Sequence, residues 1–212
     1  MMGVGMLGML VHVFRRRDKV NLTVVQSVLF TLLVVLVGLI GTFALGYVSW
    51  GRFGSKDFCG AMFLVIPFMP LISKPFGMTS MQAYDLAAIC MPIVHLFVRI
   101  GCMCVGCCEG IVIYVGNGYF QFPYVITMSL ANIGIILWLL HAESNEKKQG
   151  VLYPLFLIAF GLMRIIFDSF MYFENLMLGL RPAQWYGAVA IVVGHIWLVL
   201  HKKRMSNLTQ SL

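Results

Sequence analysis

The chain has 212 residues, of which 60% are hydrophobic and 11% are charged, and its mean hydropathy is +0.91. This composition lies far outside that of soluble domains and excludes a soluble globular enzyme. Residues 20–51, 110–142 and 182–200 carry no charged side chain, and about 20 apolar residues are enough for one helical crossing of a bilayer. The sequence therefore predicts a polytopic integral membrane protein, with residues 1–212 forming one transmembrane domain. In a membrane protein, the net charge of +7 reflects basic residues in the cytoplasmic loops. Nucleic acid is therefore not an expected partner.

Seven apolar segments follow one another along the chain. They cover residues 1–14, 22–46, 58–73, 83–100, 122–141, 151–172 and 183–200. Each is predicted to be an α-helix, so the expected fold class is all-α with six to seven transmembrane helices, of which the first and third are short. We find no internal repeat of broken helices of the kind that small transporters contain.

The basic residues between these segments predict their orientation. With the N-terminus outside, the cytoplasmic side receives Arg15, Arg16, Arg17, Lys19, Lys74, Lys147, Lys148, Lys202, Lys203 and Arg204. The outer side then receives only Arg52, Lys56 and Arg181. Because Lys and Arg are enriched in cytoplasmic loops, this bias predicts an N-terminus outside and a C-terminus inside.

Two arginines, Arg99 and Arg164, lie inside apolar segments, where each costs about 3 kcal/mol unless it is paired or faces water. At 1.5 Å per residue, Arg164 is expected about 20 Å into a hydrocarbon core about 30 Å thick. Arg99 lies near the outer end of its own segment. Both guanidinium groups are therefore expected at the depth of an outer phospholipid phosphate, next to one common cavity.

Residues 99–110 concentrate side chains that suit an anion site. Arg99 supplies a planar fork of donors, and Gly101, Gly106 and Gly110 allow the backbone to approach a ligand closely. The pattern predicts a phosphate site where the fourth segment ends. The alternative is an irregular outer loop beside an arginine that extends to the membrane interface.

This motif resembles the cysteine-rich signature of the bacterial prolipoprotein diacylglyceryl transferases, which ends Gly-Cys-Cys-Tyr-Gly. The residues in register with it are Arg99, Gly101, Gly106, Cys107, Cys108 and Gly110. Residues 121–124, 161–168 and 183–185 resemble later segments of the family, and Asp85 resembles an aspartate that precedes its motif. The resemblance covers roughly residues 40–200.

The resemblance implies a multi-pass transferase of the bacterial plasma (inner) membrane. Members of the family transfer diacylglyceryl from phosphatidylglycerol to the thiol of a lipobox cysteine, so the implied partners are that phospholipid and a membrane-tethered protein or peptide thiol, with no cofactor. Arg99 and Arg164 are then the residues that hold the lipid phosphate, and Asp168, four residues after Arg164, orients its guanidinium. The residues expected to shape the surrounding loop are Gly101, Cys102, Gly106 and Gly110.

The chain departs from the family at the expected base. The family has a Phe-His-Gly-Gly element, and the best match here is Phe-Cys-Gly-Ala, in which Cys59 and Gly60 are assigned to substrate binding. Two residues are candidates to accept the thiol proton instead: His95, one helical turn before Arg99, and Glu109 in the outer loop. The alternative for His95 is a packed, hydrogen-bonded side chain.

Four cysteines within seven residues raise further possibilities, namely a soft-metal site, disulfides or a covalent lipid intermediate. They are Cys102, Cys104, Cys107 and Cys108. Their spacing differs from the paired C-x-x-C ligands of structural zinc sites, so no metal site is predicted. Reduced, packed thiols are the expectation for Cys59 and Cys90, and the redox state of the four clustered cysteines stays open.

Two functions from different classes fit these residues. The first is diacylglyceryl transfer to a thiol. The second is non-catalytic phospholipid binding by an accessory protein that has kept the arginines and lost the base.

Overall fold

The computed structural model describes residues 1–51, 53, 56–116, 118–145, 149–172 and 178–210, so the predicted loop charges Arg52, Lys147 and Lys148 lie outside the described residues. Seven α-helices occupy the described chain. They are α1 (Met2–Arg16), α2 (Val24–Trp50), α3 (Phe58–Ser73), α4 (Ser80–Val105), α5 (Tyr124–Asn145), α6 (Leu152–Asp168) and α7 (Pro182–Gln210). Each of the seven predicted apolar segments is therefore helical. Short 3-10 turns follow α1 and α3, at Arg17–Lys19 and Lys74–Phe76.

Local polar signals determine where α2 and α4 begin. Thr23 with Gln26, and Thr79 with Gln82, each form a reciprocal pair of hydrogen bonds between side chain and backbone. These bonds satisfy N–H groups that the first helical turn leaves without a partner. Helix α4 ends at Gly106, whose φ of 69° is a left-handed conformation that glycine adopts without steric cost.

Five of the described helices are long and apolar enough to cross a membrane. The candidate spans are Val24–Ser49, Phe58–Phe76, Ser80–Val105, Tyr124–Ser144 and Pro182–Arg204. Helices α1 and α6 are shorter, with 15 and 17 residues. At 1.5 Å per residue, α6 is about 25 Å long, against a hydrocarbon core of about 30 Å. The chain is thus a helical, polytopic membrane protein, whereas the count of six to seven crossings and the orientation stay predictions.

Helix α6 packs most of its surface against other helices and exposes Leu162 and Ile166. Its Tyr153, Phe156, Leu157 and Phe160 are fully buried, and the Tyr153 hydroxyl donates to the Met62 carbonyl of α3 at 2.7 Å. Close packing on several sides positions α6, and with it the arginine that the helix carries, against its neighbours.

Polar contacts show how the helix ends are grouped. At one end of the bundle, Arg16 of α1 forms an ion pair with Glu143 of α5. At the same end, the Asp85 carboxylate of α4 accepts hydrogen bonds from the N–H groups of Gly150, at 2.6 Å, and Leu152, at 3.0 Å. The aspartate that resembles a family residue therefore joins the start of α4 to the start of α6.

The opposite end, called the site end below, collects the other helix termini. Ser49 Oγ near the end of α2 lies 2.8 Å from the Tyr186 hydroxyl near the start of α7. Tyr124, which begins α5, bonds to Asp168, which ends α6. Successive helices from α2 to α7 therefore run in alternating directions, as the loop-charge argument requires.

Glycines allow two pairs of helices to approach closely. A methyl group at Gly60 of α3 would overlap the backbone carbonyl of Gly41 on α2. A methyl group at Gly161 of α6 would lie 2.5 Å from the Gly187 carbonyl oxygen of α7. Small residues commonly make such crossings between membrane helices, so Gly60 has a packing role at the α2–α3 crossing.

A β-hairpin connects α4 to α5, and the all-α prediction omits it. Strands β1 (Val112–Val115) and β2 (Gly118–Gln121) pair antiparallel, with Val112 opposite Gln121, and both strands are exposed. β-branched and aromatic residues flank a Gly-Asn-Gly sequence in this segment. That pattern is typical of a hairpin with a two-residue turn, so the sequence does carry the signal.

Candidate functional site

A cavity of about 740 Å³ lies where the helix termini of the site end meet. Apolar side chains of α1, α2 and α4 form most of its wall. Its charged and imidazole groups are Asp57, His95, Arg99, Arg164, Asp168 and Arg181, together with Lys56 at the edge of α3. A cavity of this size, with a few polar groups in an apolar wall, has the character of a small-molecule or lipid site. Arg99 and Arg164 border one common cavity, as predicted.

Asp168 connects two helices to the Arg164 guanidinium. Its Oδ2 lies 3.1 Å from Arg164 Nε, one helical turn earlier on α6, and both side chains are almost fully buried. Its Oδ1 accepts a hydrogen bond from the Tyr124 hydroxyl of α5 at 2.5 Å. The predicted contact between Asp168 and Arg164 is therefore present, and Tyr124 is a site residue that sequence reasoning missed.

Part of the Arg164 guanidinium is left for a ligand. Its Nη1 is buried and has no hydrogen-bond partner among the described residues. Arg164 Nε and Asp168 Oδ2 are close enough for an ion pair, but their alignment does not form a hydrogen bond. Buried donors in folded proteins are nearly always satisfied, and an unpaired guanidinium nitrogen beside a cavity is placed to donate to an anion.

A chain of hydrogen bonds holds Arg99. Its Nε donates to His95 Nε2 at 3.3 Å, His95 Nδ1 lies 3.0 Å from Asn132 Oδ1 on α5, and Asn132 Nδ2 donates to the Met128 carbonyl at 2.7 Å. An arginine nitrogen can only donate, so His95 Nε2 is the acceptor and Nδ1 carries the proton. The guanidinium carbon lies 5.5 Å from the centre of the Tyr124 ring, within cation–π range.

This geometry argues against His95 as the base. Both ring nitrogens are engaged, and the ring packs against Phe58 and Phe160 with centroid distances of 4.7 and 5.0 Å. His95 therefore has no free lone pair for a substrate thiol, and its contacts are those of a residue that positions Arg99. Asn132, which fixes the imidazole from α5, is a second residue that the motif search missed.

Arg181, just before α7, also borders the cavity. Its backbone N–H donates to Gln184 Oε1 at 3.0 Å, which fixes its position, while its Nη1 is buried without a hydrogen-bond partner in the described part of the chain. Burial lowers the pKa of Arg181 because the protonated form has lost water. An anion in the cavity would compensate the charges of Arg164 and Arg181 together.

Three of the four clustered cysteines meet at the end of α4. The sulfur atoms of Cys102, Cys107 and Cys108 lie within 4.8 Å of one another, and all three residues border the cavity. Arg99 Nη1 lies 3.6 Å from Cys108 Sγ. A hydrogen bond from Cys102, supported by the positive charge of Arg99, lowers the pKa of the Cys108 thiol to about 6. All six cysteines of the chain are free thiols in the structure.

Comparison with known proteins is consistent with this site. A family model described as prolipoprotein diacylglyceryl transferase matches residues 1–200. The chain belongs to this family. Phosphatidylglycerol–prolipoprotein diacylglyceryl transferases of two strains of Streptococcus suis are each 27% identical to it over 95 residues, which cover 44% of this chain and 35% of the relative. The match thus spans about a third of the length of these curated relatives.

The residues that replace the histidine element of the transferase family lie beside the cavity rather than in its wall. Cys59 is 1% exposed and, like Gly60, is not among the described residues that border the cavity. This placement argues against their predicted substrate contacts, because the first turn of α3 packs them against other helices. Asp57, which the sequence analysis missed, does border the cavity, and its Oδ1 caps α3 by accepting the Cys59 N–H at 3.0 Å.

Only part of the predicted transferase-type loop reaches the cavity. Gly101 borders it, whereas Gly106, Glu109 and Gly110 line a smaller depression between the ends of α4 and α5. Cys102 borders both. The Glu109 side chain is exposed, so its predicted role as a base has no support from its position. The chain reverses at the left-handed Gly106; Cys107 and Cys108 return to the cavity, and Glu109 and Gly110 then lie at the smaller depression.

Proposed function

We propose that this chain transfers a diacylglyceryl group from phosphatidylglycerol, or a related anionic phospholipid, to an acceptor thiol. The observation that carries the proposal is the pair of buried guanidinium atoms, Nη1 of Arg164 and Nη1 of Arg181, that have no hydrogen-bond partner among the described residues. Both arginines border the same cavity as Arg99. A phosphodiester offers the charge and the several acceptor oxygens that these donors require.

The two regions of the cavity wall suit the two parts of such a lipid. The arginines gather at the site end, where the headgroup phosphate is expected. The apolar wall extends along α1 and α2, where its members include Met6, Met9, Val34 and Leu39. This wall provides a surface for the glycerol backbone and the first carbons of the acyl chains, which avoid water.

The transfer makes one bond and breaks one bond. The sulfur of a deprotonated acceptor attacks the glycerol carbon that bears the phosphate ester, so a C–S bond forms as the C–O bond breaks. The electron pair of the C–O bond leaves with the glycerol phosphate, where negative charge develops. Guanidinium groups of Arg99, Arg164 and Arg181, already oriented by the protein, would stabilise that charge in the transition state.

Family membership and the predicted topology support the proposed acceptor and location. The family acts on prolipoproteins, so a lipobox cysteine near the membrane surface is the proposed thiol. The predicted orientation places the site end at the outer face of a bacterial plasma membrane. An acceptor exported across that membrane would reach the cavity from the outside.

A specific observation favours a second candidate, non-catalytic binding of an anionic phospholipid. The family histidine is replaced by the buried Cys59, and both ring nitrogens of His95 are engaged by Arg99 and Asn132. A protein with arginines and no base can hold the lipid without transferring it.

The experiment that separates the two uses the full chain in phosphatidylglycerol vesicles with a lipobox peptide, and measures the lipidated peptide by mass spectrometry. Transfer by the unaltered chain that is reduced in both Arg181→Ala and Arg164→Lys supports the proposal. Arg17→Ala is the matched control because Arg17 lies at the opposite end, beside Asp18. Retention of phosphatidylglycerol without any lipidated peptide would replace transfer with the binding function.

A further inference from the structure

The cluster of Cys102, Cys107 and Cys108 is a chemical feature that the arginine site does not use. Cys102 lies on the last turn of α4, the left-handed Gly106 reverses the chain, and Cys107 and Cys108 follow at once. The reversal brings back to Cys102 two sulfurs that lie 3.8 Å apart. All three sulfurs lie within 4.8 Å of one another.

These distances suit a single tetrahedral metal ion. With Zn–S bonds of about 2.3 Å, two sulfurs on one zinc ion lie about 3.8 Å apart. The Cys107 and Cys108 sulfurs already have this separation, and the Cys102 sulfur lies within 4.8 Å of both. The fourth cysteine of the motif, Cys104, is exposed and lies outside the cluster.

The charges around the cluster also suit a metal. Three thiolates around a divalent ion leave one net negative charge, and Arg99 Nη1 lies 3.6 Å from Cys108 Sγ, where its positive charge balances that excess. Ligand sulfurs commonly accept hydrogen bonds from neighbouring donors, which orient them. The guanidinium of Arg99 would therefore support the metal site and the phosphate site together.

We propose that Cys102, Cys107 and Cys108 bind a Zn²⁺ ion whose fourth position faces the cavity and takes the thiol of the acceptor. Three protein ligands with one open position is the arrangement of catalytic rather than structural zinc. This inference rests on the proposed function, because it supplies the step that His95 and Glu109 are not placed to perform. It departs from the sequence expectation of no metal, which judged linear spacing and not the reversal at Gly106.

The acceptor thiol binds the zinc ion through sulfur and releases its proton to water, because a thiol that coordinates zinc is deprotonated. The zinc-bound thiolate then attacks the glycerol carbon of the phospholipid, the C–S bond forms, and glycerol phosphate departs with the C–O electron pair. The product thioether is a weaker ligand than a thiolate, so it leaves the metal and the site is restored.

The first test measures metal binding independently of activity. The full chain in detergent, reduced and stripped of metal, is titrated with Co²⁺, which reports sulfur ligands through thiolate-to-cobalt charge-transfer absorption. We expect a stoichiometric spectrum that Zn²⁺ abolishes by displacing the cobalt. Cys102→Ser, Cys107→Ser and Cys108→Ser should each lose most of the absorption, whereas Cys104→Ser, the matched control from the same loop, should keep it.

Several outcomes would overturn the inference. They are an absent charge-transfer spectrum in a chain whose thiols are shown to be reduced, and an equal loss in Cys104→Ser. Circular dichroism and gel filtration on each serine variant distinguish loss of ligands from loss of fold. The zinc site is supported if a serine variant loses the absorption while it retains the helical content and the size of the unaltered chain.

The second test connects the metal to the acceptor. Addition of a lipobox peptide should change the cobalt spectrum, and the same peptide with serine in place of its cysteine should not. If transfer proceeds undiminished after zinc is chelated, this inference fails and the proposed function stands. If the peptide thiol binds the metal but no lipidated peptide forms, the zinc site stands and the proposed transfer fails.

Discussion

Arg99 Nε donates to His95 Nε2 at 3.3 Å, one turn earlier on α4. This bond uses the imidazole lone pair that a base would need. We therefore expect His95→Gln, whose side-chain oxygen can accept from Arg99, to retain more transfer than His95→Ala. Loss of a hydrogen bond to a charged group costs about 1.5–3 kcal/mol, or roughly ten- to a hundredfold in rate.

The pH profile separates positioning from base catalysis at His95. A positioning residue leaves the shape of the rate–pH curve unchanged in His95→Gln, because the titrating group lies elsewhere. A base produces a limb in the rate–pH curve that disappears in the variant. Initial transfer rates across a pH series on both proteins decide between the two, and a lost limb would contradict the positioning role.

Removal of one partner from the buried pair of Arg164 and Asp168 should strongly destabilise the chain, because the other charge is then left buried without compensation. Their side chains are 9% and 2% exposed, and removal of one partner of a buried ion pair typically costs about 3–5 kcal/mol. Asp168→Asn should therefore lower the thermal midpoint of the chain in detergent. The control is Asp18→Asn, since Asp18 is 87% exposed in its pair with Arg17 and surface pairs contribute about 0–1 kcal/mol. Equal midpoints for the two variants would contradict the role of Asp168.

The helices are predictable from sequence because a bilayer requires long apolar runs, and every predicted segment is helical in the structure. The hairpin at residues 112–121 is not found by the same search. A scan for stretches without charge merges the hairpin with most of α5, since residues 110–142 carry no charged side chain. The hairpin is indicated by β-branched and aromatic residues on both sides of a glycine turn, and this signal requires a separate search for strands.

The site was predictable to the extent that its residues are unusual in sequence. Arg99 and Arg164 are conspicuous as charges within apolar segments, and both border the cavity. Asp57 and Arg181 lie next to helix starts, where a charge is ordinary, and only folding brings them to the cavity. Glu109 follows the end of α4, and its side chain is exposed beside the smaller depression, so its charge in the sequence was no guide to the cavity.

The orientation of the chain stays a prediction that labelling can test. An N-terminus outside and a C-terminus inside place the site end at the outer face. The exposed Cys104 should then react with a membrane-impermeant maleimide in intact cells carrying a chain whose other cysteines are replaced by serine. Reaction only after the membrane is opened, or an outside-only reporter that is active when fused to the C-terminus, would reverse the orientation.

The Cys108 thiol should react at unusually low pH in metal-free protein. Hydrogen bonding from Cys102 and the charge of Arg99 lower its pKa to about 6, against an ordinary value of about 8.5. The thiolate is the reactive form, so alkylation of Cys108 should rise through pH 6. Cys102→Ala should move that midpoint upward, because the hydrogen bond that stabilises the thiolate is lost. Peptide mapping of iodoacetamide-treated protein measures the midpoint, and an unchanged value in the variant would contradict this cause.

Arg181 offers the sharpest separation of ligand binding from folding. Its Nη1 is buried without a hydrogen-bond partner among the described residues, and none of the ion pairs between described residues includes Arg181. Removing its side chain therefore leaves no ion-pair partner buried without its opposite charge. Arg181→Ala should therefore leave the thermal midpoint nearly unchanged.

Its effect should appear instead in the phospholipid dependence of transfer. A guanidinium that touches the phosphate contributes a charge-assisted hydrogen bond worth about 1.5–3 kcal/mol, so transfer at limiting phosphatidylglycerol should fall roughly ten- to a hundredfold in Arg181→Ala. The rate of Arg181→Lys, which keeps the charge without the fork of donors, should fall less.

Lys74→Ala is the control, because Lys74 follows α3 at the end opposite the cavity. Rates measured over a series of phosphatidylglycerol fractions in neutral-lipid vesicles decide the matter. A loss that persists at saturating phosphatidylglycerol means that Arg181 stabilises the departing glycerol phosphate in the transition state, and a rate equal to that of the unaltered chain removes Arg181 from the site.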